Sequence, residues 1–595
     1  MFQLQVLIPG PWWHELTYQT EGDVPAGARV LVPMGRGVRV GLAAGRADNA
    51  AALRLKTVLR VLDAQPVLNR PYLQAVNEIA RAFLCSQAEI LRLLLPASFW
   101  RGDPFAPYGE SEKIPFSSEF CYRYDDEERW RLYREKIYVC RRGALALFPE
   151  REQAQRFYKS LVGAIPKERL ILWPASGAQA ATKNWRLALS RDDAVIVGGP
   201  GAAAAPFAAP GLFIIDEEAN PSWRSQKHPP FSLRSFAAAR ARVSGGCLVV
   251  GGRIPSSRVF KNFHPAERKT AARSVVRILD LHGASLLPFR GMQFPLPLSD
   301  VLVTETLRHA ADKRIVFWLL DRRGVSGELQ CADCGQAVRC PRCGAAMAFE
   351  RNEMRCPLCG ARASVPEVCP QCGGRMFQGT APGLEALQPL AQNLLGASPV
   401  RLWHAGNPAN LTDGRRRLAE LKQEGGLLLG SRRALSLLDG LHPALIGWLD
   451  ADAEARQPDY ASRFSAFSMF EESLWRGQGA RTVLFQTRRP GQLVLKSLQA
   501  GWSYFWREEL AERSAFSFPP YSHMAKIELP KDWKEKDDFV FGLDEAGFTT
   551  MQSGAAGAAL TVFTARMAPL RRCLEKYFTI RSSRRGFPSV EVCSD

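Results

Sequence analysis

Nowhere in its 595 residues does this chain place a lysine directly after a glycine. A loop that cradles nucleoside-triphosphate phosphates needs clustered backbone amides and an ammonium group, normally as G-x-x-x-x-G-K-[ST]. The nearest imitation, SGAQAATKN (176–184), has one glycine and reads as an ordinary loop or helix start. Also missing is any apolar run approaching the ~18 residues of a membrane span. The opening MFQLQVLIPG runs into GPWWHE without a basic segment, so no secretory leader is expected. Six cysteines (Cys85, Cys121, Cys140, Cys247, Cys573, Cys593) are scattered without the spacing of a disulfide framework. No solenoid-period repeat and no long low-complexity tract occurs. These absences point to a cytoplasmic protein in a reducing compartment.

The remaining eight of the 14 cysteines form four C-x-x-C knuckles. They are Cys331 and Cys334, Cys340 and Cys343, Cys356 and Cys359, and Cys369 and Cys372. Most have Gly or Pro neighbours, which suit tight knuckle turns. Each pair supplies half of a tetrahedral four-thiolate zinc site, so four pairs make two. Four thiolates leave no open coordination position, so both ions are expected to be structural. Spacing alone does not decide whether neighbouring knuckles pair or interleave.

The chain is basic, with 78 Lys+Arg against 59 Asp+Glu and a formal charge of +19. Two zinc sites would lower this to about +15, still an excess that favours a polyanion such as nucleic acid. At this length several domains are expected. Residues 1–100 read as a β-rich unit closed by helices over 72–83 and 87–95. The Pro/Gly/Ser-rich stretch 101–118 reads as a linker. Short apolar runs follow: AVIVGG (194–199), GLFIIDEE (211–218), GCLVVGG (246–252), RIVFWLLD (314–321), GGLLLG (425–430), ALIGWLDAD (444–452) and RTVLFQT (481–487). Separated by helix-length segments, they read as buried parallel strands in two α/β lobes, 119–290 and 291–510. The cysteines interrupt the second lobe, over 325–380. A small α/β unit, 511–595, ends the chain with a basic run that includes Arg581, Arg584 and Arg585. After one strand come Asp216 and Glu217, a position that in nucleoside triphosphatases holds the magnesium-binding Asp and the water-polarising Glu.

With these features in hand, the chain resembles the primosomal protein N′ (PriA) family of bacterial replication-restart helicases. The resemblance rests on TEGDVPAGARVLVPMGRGVRVGLAAG (20–45), LKTVLRVLDAQPVL (55–68), LLDRRG (319–324), the eight cysteines, LDADAEARQPDYAS (449–462) and FWREELAERSAFSFPPYSHMAKIEL (505–529). It implies that residues 1–100 bind a 3′ DNA end, with Tyr18, Gly35 and Lys56 as the DNA-binding candidates. By their chemistry Trp12, Trp13 and Tyr18 are candidates to stack on an exposed base, with a core or lid role the alternative for the two tryptophans. Thr17 stands where the family has an Asp. It implies two RecA-like lobes and interleaved zinc sites, Cys331, Cys334, Cys369 and Cys372 around Cys340, Cys343, Cys356 and Cys359. It also implies partners: forked and single-stranded DNA, a replicative helicase loader and single-stranded DNA-binding protein.

Departures from the family are as informative. Its winged-helix domain is replaced by the linker. Where its phosphate loop should lie, the chain reads FCYRYDDEERWRLY (120–133), so Asp125, Asp126, Glu127 and Glu128 are expected to repel a triphosphate. GSRRALSL (430–437) and ESLWRGQGA (472–480) replace a Lys-bearing motif and an arginine-rich run, leaving the arginine finger absent or displaced. Asp216 and Glu217 then remain as relics of a Walker B pair, and Mg-ATP is not expected as a cofactor. The reading is a DNA-binding restart protein that helps to load the replicative helicase without unwinding DNA itself. The alternatives are an active ATP-dependent 3′-to-5′ helicase and a zinc-bearing scaffold without a direct DNA role.

Overall fold

The computed structural model describes residues 2–10, 12–47, 55–173, 178–268, 273–285, 298–320, 329–331, 333–334, 336–342, 347–350, 353–356, 361–379, 383–404, 407–408, 410–455, 459–530, 533–553, 559–578 and 588–593. Of the residues singled out in the sequence, Cys343, Cys359, Arg581, Arg584, Arg585, part of 176–184 and most of LLDRRG lie outside that set.

Five antiparallel strands open the chain: β1 (Phe2–Leu7), β2 (Leu16–Thr20), β3 (Arg29–Met34), β4 (Gly37–Arg46) and β5 (Arg60–Val61), in the order β2-β1-β4-β3-β5. Alternation puts Leu4, Val6, Val30 and Val32 in a core beneath one face. Three helices follow, α1 (Arg70–Ala82), α2 (Gln87–Leu94) and α3 (Ala97–Arg101). Asn69 starts α1 by accepting the Tyr72 amide at 3.0 Å.

Lobe 1 contains β6 (Phe116–Tyr122), α4 (Asp126–Val139), β7 (Gly143–Leu147), α5 (Arg151–Leu161), β8 (Leu170–Leu172), α6 (Ala178–Leu189), β9 (Val195–Gly198), β10 (Pro210–Ile215), α7 (Leu233–Ser244), β11 (Gly246–Gly252) and α8 (Ser257–Phe263). Its strands form a parallel sheet in the order β6-β11-β10-β7-β9-β8. Lobe 2 starts with β12 (Val275–Asp280), α9 (Asp300–Ala311) and β13 (Ile315–Leu319). Small antiparallel strands interrupt it: β14 (Leu329–Cys331), β15 (Ala348–Glu350), β16 (Glu353–Arg355), β17 (Arg362–Ala363) and β18 (Phe377–Gly379). It resumes with α10 (Leu384–Leu395), β19 (Val400–Trp403), α11 (Leu411–Glu424), β20 (Gly426–Gly430), β21 (Leu445–Trp448), α12 (Ala451–Ala455), α13 (Ser462–Trp475), β22 (Thr482–Thr487), α14 (Leu493–Ala500) and α15 (Trp502–Ala515). Its parallel sheet has the order β12-β22-β21-β13-β20-β19.

Numbering each lobe's strands from its own start gives the same order in both, so the lobes share one RecA-like topology. The near-continuous apolar strands were legible because both faces of such sheets are covered by helices. One expected boundary moves. Residues 275–280, assigned from sequence to the first lobe, pair with Thr482–Thr487 in the second sheet. They form an edge strand with an exposed Val275, and so lack the buried run that marked the other strands.

The carboxy-terminal unit comprises β23 (His523–Glu528), α16 (Lys536–Glu545), β24 (Thr549–Ser553), β25 (Ala559–Thr564), α17 (Met567–Tyr577) and β26 (Ser589–Cys593). A single apolar core joins it to the amino-terminal helices and lobe 1. Tyr72 of α1 meets Phe236 of α7 edge-on at 5.5 Å and lies under the Arg240 guanidinium. Arg571 of α17 donates to the Ala80 carbonyl at 2.7 Å and stacks on Trp13. The stretch between α3 and β6 has neither helix nor strand, yet Phe105 and Tyr108 are buried in this core.

Candidate functional site

In doubly wound sheets ligands bind outside the carboxyl ends of the strands, and an anion sits at a helix N-terminus there. In lobe 1 that crevice lies where β6 leads into α4 and where β10 leads to Asp216. It is filled by the protein's own side chains. Arg129, on the second turn of α4, is fully buried and donates from Nε to Asp216 at 2.5 Å. Its Nη2 donates to both Asp126 and Glu217 at 2.8 Å, and its Nη1 to the Arg123 carbonyl at 2.8 Å. The Trp130 indole and the Tyr133 hydroxyl each donate to Asp216 at 3.0 Å. From the end of β11, Arg253 reaches Asp126 at 2.7 Å and Glu217 at 2.9 Å. Every oxygen of Asp216 that a magnesium ion would need is already engaged.

The charges are nearly balanced. Burial pushes the Asp126 carboxyl up, but Arg253 and Arg129 overcome it and hold it at about 2. Burial pushes the Glu217 carboxyl up to about 7, against the opposing pull of Arg253 and Arg129. Two guanidiniums face three carboxylates, so a proton on Glu217 neutralises the group. Glu217 also stands at φ +46, a left-handed conformation that costs about 1–3 kcal/mol unless its surroundings hold it. Here two arginines do.

The acidic run acts differently from the sequence expectation. Asp125 caps α4 by accepting the Glu128 amide at 3.0 Å and pairs with Arg273. Asp126 is neutralised inside, and Glu127 faces Arg134. Bare repulsion is therefore the wrong description; occupied volume and spent hydrogen-bond capacity replace it. Arg129, Trp130 and Tyr133 were missed in the sequence. Their signal was positional, since Tyr133 lies i+4 from Arg129 and i+3 from Trp130 and so shares a face with each.

Arg476, the arginine of ESLWRGQGA, is only 1% exposed. It reaches Glu150 across the interface with lobe 1, at 2.5 and 3.0 Å, and also Asp439 and Glu472. Tyr124 of lobe 1 stacks on Trp475 of lobe 2 at 5.1 Å. The arginine nearest the finger position thus ties the lobes together.

The four thiols of Cys331, Cys334, Cys369 and Cys372 lie within 4.8 Å of one another. Cys331 to Cys372 is 3.6 Å and Cys334 to Cys369 is 3.7 Å. A zinc tetrahedron with ~2.3 Å bonds has sulfurs about 3.8 Å apart, so these four residues fit the ion. First and last knuckles meet, as the interleaved pairing requires. Of the inner set, Cys340 and Cys356 are described, and they share one small apolar cluster with Met347 and Met354.

In the amino-terminal domain Tyr18 is 4% exposed, and its hydroxyl donates to the Pro33 carbonyl at 3.2 Å. Its ring is inside the core, so the expected stacking on a base is not open to it. Trp12 donates to the Ile8 carbonyl at 2.8 Å, and Trp13 packs on Phe578, so both have structural partners. Gly35 sits at φ +60 in the β3–β4 turn, with open space where a side chain would project. Lys56 is exposed, on a segment whose carbonyl accepts the Gln19 amide at 2.9 Å. Among the described residues, no helix is long and apolar enough to cross a membrane.

Residues 5–96 match the family model of the PriA 3′ DNA-binding domain. The replication restart protein PriA of Treponema pallidum is 23% identical over 88% of this chain and 86% of its own length. That of Bacillus subtilis is also 23% identical, over 66% of this chain and 50% of its own length. The matched region thus spans only half of the Bacillus relative. Among solved structures, S. cerevisiae Dbp5 bound to RNA and ADP BeF3 aligns with a TM-score of 0.36 at 12% identity, over 74% of this chain and 92% of that one.

Proposed function

We propose that this chain, a divergent member of the bacterial PriA family of replication restart proteins, binds forked or single-stranded DNA and acts as a restart adaptor without an ATP motor. Its amino-terminal domain takes the 3′ end of a strand. Gly35 lets backbone approach the terminal nucleotide, and Lys56 meets a phosphate. Arg36 and Arg39 beside the Gly35 turn add exposed positive charge. The eight cysteines hold two structural zinc ions. When bound, zinc cross-links the knuckles and fixes a module too small to fold on apolar burial alone. That module offers a surface for protein contacts with the helicase loader and the single-stranded DNA-binding protein, through which the replicative helicase is brought to the fork.

The observation that carries this reading is the buried Arg129 group. A phosphate would have to displace a guanidinium, an indole and a phenol from Asp216, and expose three carboxylates to itself. Such a cluster costs several kcal/mol to break. Equilibrium titration of the purified chain with Mg-ATP tests it: no saturable binding is expected up to millimolar nucleotide. Tight, magnesium-dependent binding would overturn the reading.

A further inference from the structure

A cavity of about 590 Å³ opens between α3, which closes the amino-terminal domain, and α6 of lobe 1. Its lining includes Ser98, Arg101, Asp103, Thr182, Lys183 and Arg186. Ser98 and Thr182, both in the lining, hydrogen-bond at 3.1 Å. Arg101 pairs with Asp103 at 2.9 Å. Lys183 and Arg186, one helical turn apart on α6, are exposed and make no ion pair among the described residues. Three cations therefore face one carboxylate, and no aromatic ring lines the walls. The walls themselves are largely apolar, Leu187 among them, so it is the cations at the rim that suit phosphates, and nothing there offers a base a ring to stack on.

The groove is continuous with the domain that carries Lys56. From Lys56 the chain runs extended to Leu62, with the Leu59 amide donating to Leu31 and the Leu62 amide to Arg29. Six extended residues cover roughly 20 Å, and exposed Arg60 lies on the way. At the far end Gly102 abuts Leu62 and Val40: a β-carbon there would lie 3.4 and 3.8 Å from them. Arg101 is its neighbour. The junction is rigid, because buried Arg29 binds Asp63 at 2.8 Å and donates to the Phe99 and Asp103 carbonyls.

We propose that this groove carries the sugar–phosphate backbone of the single strand whose 3′ end lies near Lys56, with Arg101, Lys183 and Arg186 meeting its phosphates. The proposal rests on the 3′-end reading above and extends it into lobe 1. The end domain and the groove then form one binding track across the α3–α6 junction.

The test compares single strands of about 3 and about 12 nucleotides bound to wild type, to Lys183→Glu/Arg186→Glu, to its milder Gln/Gln counterpart and to Lys56→Glu. All three positions are exposed, so the variants should fold. Wild type should bind the long strand more tightly. The Glu pair should lose that gain while keeping the short-strand affinity, and the Gln pair should lose part of it. On the long strand, the slope of log K against log salt should shrink by about 1.4, at ~0.7 per lost phosphate contact. Unchanged long-strand affinity and slope in the Glu pair would overturn the groove; a loss with Lys56→Glu alone would leave the 3′-end reading standing. Equal affinity for both lengths in wild type, or inorganic pyrophosphate filling the groove with no strand-length effect, would also overturn it. Failure of wild type to bind either strand would remove both readings.

Discussion

At the scale of single residues, Arg129 holds more buried charge in place than any other side chain described in lobe 1. Deleting one member of such a group leaves its partners charged and dry, typically at a cost of about 3–5 kcal/mol. Arg129→Met should therefore lower the thermal midpoint markedly, by differential scanning fluorimetry, because Asp216, Asp126 and Glu217 lose a shared partner. A midpoint within a degree of wild type would mean the cluster is not formed. Glu217 makes a second, pH-resolved prediction. Its folded value near 7 lies above the ordinary carboxylate value of 4.5. The folded state then holds a proton that the unfolded state releases, so this group's contribution is complete below pH 4.5 and is lost as pH rises through 7. Glu217→Gln, which cannot lose that proton, should gain stability relative to wild type across this window, by up to about 3 kcal/mol. A variant-to-wild-type difference that is flat with pH would contradict the assignment.

At the scale of elements, α4 shows where sequence reading stops. The acidic first turn was visible, as was the loss of glycines before it, and both pointed away from a phosphate loop. Invisible was the destination of the next turn, because Arg129, Trp130 and Tyr133 find Asp216 only after β6 and β10 join one sheet 83 to 87 residues apart. Parallel strands were legible from their unbroken apolar runs; β12, with an edge-strand pattern, was not. Cysteine spacing gave the thiolate count and left the pairing open, which the Cys331–Cys372 and Cys334–Cys369 contacts resolve for the outer set. Tyr18 went wrong for a related reason: alternation along β2 turns its ring inward, towards Val6 and Val32. For the knuckles, removing metal with a strong chelator should collapse the module. Protease cleavage between 331 and 372 should then rise sharply, while Cys331→Ser should release about one of two zinc equivalents. Retention of both equivalents by that variant would reject the outer site. Between the lobes, Glu150→Ala and Arg476→Ala should couple in a double-mutant cycle by about 1–3 kcal/mol, and additive effects would mean the staple contributes nothing.

At the scale of the whole molecule, two lobes of one strand order are kept, and the proposed function follows from what fills the surfaces between their strands and helices. The crevice that would take a triphosphate holds a neutralised ionic cluster. The arginine nearest the finger position fastens lobe 2 to lobe 1, and Tyr124 on Trp475 adds an aromatic contact at the same interface. The amino-terminal helices, lobe 1 and the carboxy-terminal sheet share one apolar core, so the amino-terminal domain is built onto the lobe. On the proposed function, a platform with this shared core presents the DNA end and the cysteine module without cycles of lobe closure. The formal charge of +19 gives such a platform long-range attraction for DNA, with affinity that should fall steeply as salt rises.

The most direct measurement is strand separation on a forked duplex with saturating Mg-ATP, using chain purified free of other nucleotide hydrolases and parallel Asp216→Asn protein. The account predicts no unwinding and no DNA-stimulated phosphate release by either protein, while the fork remains bound. ATP-dependent unwinding by the native chain that disappears in Asp216→Asn would contradict it.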